Sequence, residues 1–126
     1  MTSRRRLGDF GERVAAHRLE SAGMRILARN VRIGRIEIDL VAADGNDVVF
    51  VEVRTRRAAS DMAAESLAPA KLRRMWRAAI GYCEANAIAP ERARIDVIAI
   101  DLDPGGRERG IEHYRGIEIP EAPEDD

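Results

Sequence analysis

Cys83 is the only cysteine in this 126-residue chain. One thiol closes no intramolecular disulfide and builds no cysteine-based zinc site, so a reducing, cytoplasmic setting is expected. Aromatic side chains are also scarce, two Phe, two Tyr and one Trp, which argues against single-strand binding on stacked aromatic platforms. No uninterrupted apolar run approaches the roughly 18 residues needed to span a bilayer, and no membrane association is expected. Ser3-Arg4-Arg5-Arg6-Leu7 looks like a twin-arginine export signal, but Gly8-Asp9-Phe10-Gly11-Glu12 follows it. Such a signal needs an apolar stretch of about 7–15 residues there. A P-loop, a dinucleotide-binding glycine fingerprint, zinc-ligand spacings and a nucleophile elbow are missing too. Nucleotide hydrolysis and acyl transfer thereby lose their sequence signatures.

Net charge is almost absent: 21 basic and 22 acidic side chains leave −1 at pH 7. The balance is a cancellation. Residues 1–77 carry 16 basic and 10 acidic groups, whereas residues 78–126 carry 5 and 12. Near-neutrality therefore does not exclude a polyanionic partner for the basic part. Every basic residue except Lys71 is arginine, which suits phosphate contacts and is equally what an arginine-rich genomic composition produces.

A chain this short holds one hydrophobic core. Leu7, Phe10, Val14, Ala15, Leu19 and Ala22 recur at threes and fours and predict a helix ended by Gly23. Strand patterns follow from Met24, over 36–43 and over 48–55, with turns at 33–35 and 44–47. Residues 56–68 read as a loop. Pro69 opens a second helix with Leu72, Met75, Trp76, Ala79, Ile80 and Cys83 on its apolar face, Trp76 being the expected largest core residue. Residues 94–101 read as a strand buried on both faces, residues 111–119 as a short edge strand, and residues 120–126 as a disordered acidic tail. The expectation is a single α/β (α+β) domain over residues 1–119, in the order α-β-β-β-α-β, with a mixed sheet flanked by helices.

The second and third strands carry the chemistry. A symmetric turn at 44–47 sets Leu40 across from Val51, Ile38 across from Val53 and Ala42 across from Val49, one apolar face. On the other face Asp39 opposes Glu52, and Glu37 opposes Arg54. Opposed Cβ atoms lie roughly 4.5–5.5 Å apart, and like charges there repel. The two carboxylates need a proton, a cation or an arginine between them. Mg²⁺ takes one or two carboxylates with waters and substrate phosphates, and the Val53 carbonyl is a candidate third oxygen. The competing reading is a solvated hairpin face whose acids are matched by arginines. Taken alone, Glu12 is a solvated helix residue, His17 a surface one and Cys83 a core one. Asp96 is expected to pair with an arginine, and His113 has no assigned role.

In order along the chain stand Gly11-Glu12, Ile26-Leu27-Ala28-Arg29-Asn30, Glu37-Ile38-Asp39-Leu40, Val49-Phe50-Val51-Glu52-Val53-Arg54, Lys71 and Arg94-Ile95-Asp96-Val97-Ile98. This set resembles the YraN family of bacterial proteins over residues 4–116. That family is similar to the PD-(D/E)XK nucleases, archaeal Holliday-junction resolvases in particular. The resemblance implies a restriction-endonuclease-like core and a Mg²⁺-dependent endonuclease, with Mn²⁺ as a substitute, acting on DNA that is branched or structured. It places the metal-binding acids at Asp39 and Glu52 and the first-helix glutamate at Glu12, and it suggests a homodimer. The superfamily's strand lysine falls at Arg54, which stays protonated and serves a phosphate better than it shuttles a proton. Lys71 can supply the compact cation instead. Ile36 stands where the group often has glycine. Arg4, Arg5, Arg6, Arg56 and Arg57 extend the expected phosphate-contacting surface. The alternative is a catalytically inactive nuclease-fold protein that binds nucleic acid or a protein partner.

Overall fold

The computed structural model describes residues 3–56 and 67–122, with side chains from residue 8 onward in the first helix. The elements are α1 (Ser3–Ser21), β1 (Arg25–Ile33), β2 (Ile36–Asp44), β3 (Asp47–Arg56), α2 (Pro69–Ala85), β4 (Ala93–Leu102) and β5 (Glu108–Tyr114). A 3₁₀ turn, Pro90–Arg92, leads into β4. The strands form a five-stranded sheet in the order β1-β2-β3-β4-β5. Neighbours are antiparallel except β3 and β4, which run parallel. A parallel pair needs a crossover, and α2 lies in that connection. The α-β-β-β-α-β order and the mixed sheet expected from the sequence are what is observed.

The helices cover opposite faces. Ala15, Ala16 and Leu19 of α1 pack with Leu40, Ala42, Val49, Val51, Ile98 and Ile100. Met75, Ala78, Ala79 and Cys83 of α2 pack with Ile38, Val41, Val48, Phe50 and Ile95. Strands β3 and β4 feed both layers, which is why their sequences are almost continuously apolar. Phe50, at the centre of β3, is the largest fully buried side chain, and its ring meets Tyr82 edge-on at 5.4 Å. Trp76 is only partly buried at the rim of this layer, so the expectation that it fills the core is corrected. Cys83 is buried, as expected, and His17 is exposed.

Gly11 is set by close approach. A Cβ built on it would lie 2.3 Å from Thr55 Oγ1 and 3.5 Å from Val53 Cγ1. The absent side chain lets α1 ride directly on the end of β3. That contact brings Glu12, the next residue, to the part of the sheet holding Asp39 and Glu52.

The last strand begins earlier and ends earlier than the pattern predicted. Its ladder with β4 runs from Leu102↔Glu108 to Val97↔Tyr114, and Gly116, at φ +61°, turns the chain away. The Ile117 N–H then donates to the Ile95 carbonyl at 2.7 Å, and Ile117 and Ile119 pack on the α2 layer. Asp96 fastens this return. Fully buried, its carboxylate accepts from Arg94 Nε at 3.0 Å, contacts His113 Nε2 at 2.7 Å and accepts from the Gly116 N–H at 2.9 Å. Burial alone would raise the Asp96 pKa, but the hydrogen bonds from Arg94, Gly116 and His113 outweigh it and hold the carboxyl below its usual range. The expected arginine partner is thus present, and His113 gains a structural role.

Of the expected loop, residues 57–66 lie outside the described residues, as do residues 123–126 of the expected tail. Before them, the Glu121 carbonyl accepts from Arg73 Nη1 at 3.3 Å. Among the described residues no helix is long and apolar enough to cross a membrane.

Candidate functional site

The hairpin register follows the turn. Asp44↔Asp47, Ala42↔Val49 and Leu40↔Val51 are paired as the sequence predicted. Gly45 at φ +61° makes the turn, and Arg94 clamps both its shoulders, reaching Asp44 at 2.9 Å and Asp47 at 3.1 Å.

One residue further the ladder stops. The Val53 N–H donates instead to the Asp39 carboxylate, Oδ2, at 2.8 Å. A side chain thus takes the place of a main-chain acceptor, and the paired register ends at Leu40 and Val51. The alternation of faces breaks at the same place. Ile38 packs in the α2 layer beside Val41, three residues on, whereas Val53 packs against the α1 layer. The expected Ile38–Val53 pair on one apolar face is therefore corrected. So are Glu37 opposite Arg54 and Asp39 opposite Glu52, neither of which is a ladder pair: Glu37 is paired with Arg32 of β1, Glu52 with Val97 and Arg54 with Ala99 of β4.

Asp39 lies at this break, and the other site groups gather around it from α1, β1, β3 and α2. Glu52 is 7% exposed, and its Oε2 accepts from Lys71 Nζ, in the first turn of α2, at 2.9 Å. Burial pushes the Asp39 pKa up to about 7, and the charge of Glu52 adds to the push. The Val53 N–H and the charge of Lys71 oppose it, while Glu12 adds a further negative charge. The Glu12 pKa is raised as well, first by burial and then by Asp9 and Glu37, against a hydrogen bond from Asn30. Asp39 weakly opposes the rise. Lys71 thus meets Glu52 directly, while Glu52 and Glu12 raise the cost of ionising Asp39. A recess of about 520 Å³, lined by Gly8, Asp9, Glu12, Asn30 and Glu37, opens beside these groups.

Asn30 had no role in the sequence reading although it closes one of the quoted segments. Its φ is +52°, a left-handed conformation that asparagine tolerates better than most side chains. That kink within β1 is where its amide meets Glu12. The Val53 N–H is the second unforeseen contribution. Of the basic residues expected to contact phosphate, Arg56 is ion-paired with Asp101 of β4 and joins the ends of the two parallel strands. Arg54 is half-buried two residues beyond Glu52. Arg57 lies outside the described residues, as do the side chains of Arg4, Arg5 and Arg6 in the first turns of α1.

Among the described residues no three His, Cys, Asp or Glu side chains are gathered closely enough to cage an ion by themselves. Mg²⁺ does not ask for such a cage: one or two carboxylates suffice, the remaining positions being water or phosphate. Asp39 and Glu52 form an oxygen-only pair whose charges repel, and they fit a hard divalent cation on that ground.

The sequence model of the family described as "Uncharacterised protein family UPF0102" matches residues 11–100. This chain belongs to the UPF0102 (YraN) family. A UPF0102 protein of Roseiflexus castenholzii is 46% identical over 116 residues, covering 90% of this chain and 94% of its own. One from Arthrobacter sp. (strain FB24) is 43% identical over 112 residues, 88% of this chain and 94% of its own. One from Symbiobacterium thermophilum is 44% identical over 106 residues, 83% and 90%. The matched region in this UPF0102 chain contains Glu12, Asn30, Asp39, Glu52 and Lys71. Among solved structures, Pyrococcus furiosus SfsA in complex with Ca²⁺ gives a TM-score of 0.43 at 17% identity. The match covers 91% of this chain and spans 65% of that protein's length, a likeness too slight to argue from.

Proposed function

We propose that this UPF0102 protein is a divalent-metal-dependent endonuclease that hydrolyses phosphodiesters in DNA, branched or structured DNA included. The observation that carries the reading is the Asp39 carboxylate at the end of the β2–β3 ladder, taking the Val53 N–H at 2.8 Å, where burial first and the charge of Glu52 second make it resist ionisation. Asp39 and Glu52 would hold Mg²⁺ or Mn²⁺, with the Val53 carbonyl as a further oxygen. When bound, such a cation supplies an acidified water and neutralises charge developing on the scissile phosphate. Glu12, held by Asn30, orients the attacking water and accepts its proton. Lys71 lies against Glu52 from α2 and turns to the phosphate oxygens once the carboxylate has a metal to bind. Arg54 adds a permanent positive charge on the same strand, acting electrostatically rather than by proton transfer.

A second reading is favoured by the Lys71–Glu52 ion pair itself, because a lysine that satisfies the carboxylate can replace a metal. In that case the protein binds nucleic acid, or a protein, without cutting. Cleavage assays on single-stranded, duplex and four-way DNA, titrated with Mg²⁺ and Mn²⁺, separate the two. The nuclease reading expects metal-dependent nicking that Asp39→Ala and Glu52→Ala each reduce at least about a hundredfold. Metal-independent cutting, or full activity in both variants, sinks it. Salt-sensitive binding without cleavage favours the second reading.

A further inference from the structure

The first half of α2 is basic without an acidic counterpart. Lys71, Arg73, Arg74 and Arg77 all precede its one carboxylate, Glu84. Cations near a helix N-terminus oppose the macrodipole, so helix stability does not explain them. Lys71 has Glu52 and Arg73 has the Glu121 carbonyl. Arg74 and Arg77 instead line a notch of about 280 Å³ whose other wall is the β1–β2 turn, Gly34 and Arg35. Gly34, at φ +61°, makes that turn tight enough to present Arg35 beside α2.

Arg35, Arg74 and Arg77 are all exposed. Among the described residues none of the three has an ion pair or hydrogen-bond partner. Three guanidiniums around one notch repel one another unless an anion lies among them. Lys71, Arg74 and Arg77 follow at steps of three residues, so the row spans about 9 Å along the helix axis. That is longer than a single phosphate group, so neighbouring phosphates of one strand can lie along the row. The row begins at Glu52, through Lys71.

We propose that the Arg35–Arg74–Arg77 notch seats the backbone phosphates of a nucleic acid, further along the strand from the phosphate at Asp39 and Glu52. The phosphate at Asp39 and Glu52 rests on the nuclease reading; the seat itself does not. Guanidinium contacts of this kind fix the position of a strand without reading its sequence.

The test is DNA binding in metal-free buffer containing EDTA, by fluorescence anisotropy on duplex and four-way DNA across a range of salt concentrations. R35Q/R74Q/R77Q is compared with wild type and with R18Q/R25Q/R92Q. The control removes equal charge from exposed sites outside the notch. The seat variant is expected to bind at least tenfold more weakly. Its plot of log affinity against log salt should be shallower by about 2–3, since each phosphate contact contributes about 0.9. The single variants R74Q and R77Q should each lose about one unit of slope. An unchanged slope in the seat variant, an equal loss in the control, or no DNA binding by wild type overturns the seat. DNA that is bound with the expected slopes yet never cut at any Mg²⁺ concentration supports the seat and refutes only the nuclease reading.

Discussion

In metal-free buffer at pH 8, Asp39→Asn should be more stable than wild type, by about 2–4 kcal/mol, while at pH 4 the two should be nearly equal. The asparagine keeps an oxygen to accept from the Val53 N–H, so the bond at 2.8 Å survives. What it removes is a buried charge beside Glu52 and Glu12. The folded-state pKa of Asp39, about 7, lies above its ordinary value of 3.8. The native protein therefore holds a proton that the unfolded chain releases. Its contribution is fully present below about pH 4 and is lost as pH rises through about 7. A shift of about three units at 1.36 kcal/mol each bounds the effect near 4 kcal/mol. Urea unfolding of both proteins between pH 4 and pH 8 measures it. Parallel stability curves across that range would show that Asp39 carries no such strain. The stabilised variant should also be inactive, since a site tuned to bind a cation is destabilised without one.

Asp96→Asn should act in the opposite sense, costing about 3–5 kcal/mol at pH 7. Removing one member of a buried ion pair leaves its partner's charge uncompensated. Asp96 is fully buried and receives Arg94, His113 and the Gly116 N–H together. The amide group of asparagine would turn a donor toward this set of donors. Because the pairing holds its pKa low, Asp96 contributes throughout neutral pH, and the contribution disappears only in acid, as pH falls below about 4 through the lowered pKa. Urea unfolding at pH 7 is the measurement, and a loss under about 1 kcal/mol would mean that the cluster does not hold the return after β5. The Asp96 cluster joins the start of β4 to the 44–47 turn, away from Asp39, so divalent-cation affinity should be unaffected.

Much of the fold was legible because short-range signals agreed. The 44–47 turn, flanked by β-branched runs, determined the pairing of Leu40 with Val51 and Ala42 with Val49, and with it the proximity of Asp39 and Glu52. Helix periodicity identified the buried faces of α1 and α2. The errors lie where a side chain competes with the backbone. Period-two alternation puts Ile38 on the face of Leu40, and only the Asp39 carboxylate, by taking the Val53 N–H, ends the ladder and frees Ile38 for the other layer. A strand pattern likewise cannot reveal that Asn30 adopts a left-handed conformation and so meets Glu12. Contacts between distant residues were equally hidden. Lys71 was identifiable as a candidate cation, but its place against Glu52 depends on the crossover that returns α2 to the sheet. His113 acquires its function only from Asp96, and Arg35 only from the helix that lies beside its turn. Among the arginines, runs in sequence drew attention to 4–6 and 56–57, whereas Arg56 is occupied by Asp101.

The central claim is that Asp39 and Glu52 share one divalent cation. Calorimetric titration of Mg²⁺ and Mn²⁺ at pH 8 into wild type, Asp39→Asn and Glu52→Gln tests it without requiring the right DNA. The account predicts saturable binding at one site in wild type and none in either variant, with circular dichroism showing all three folded. Equal binding in the variants, or none in wild type, would contradict it.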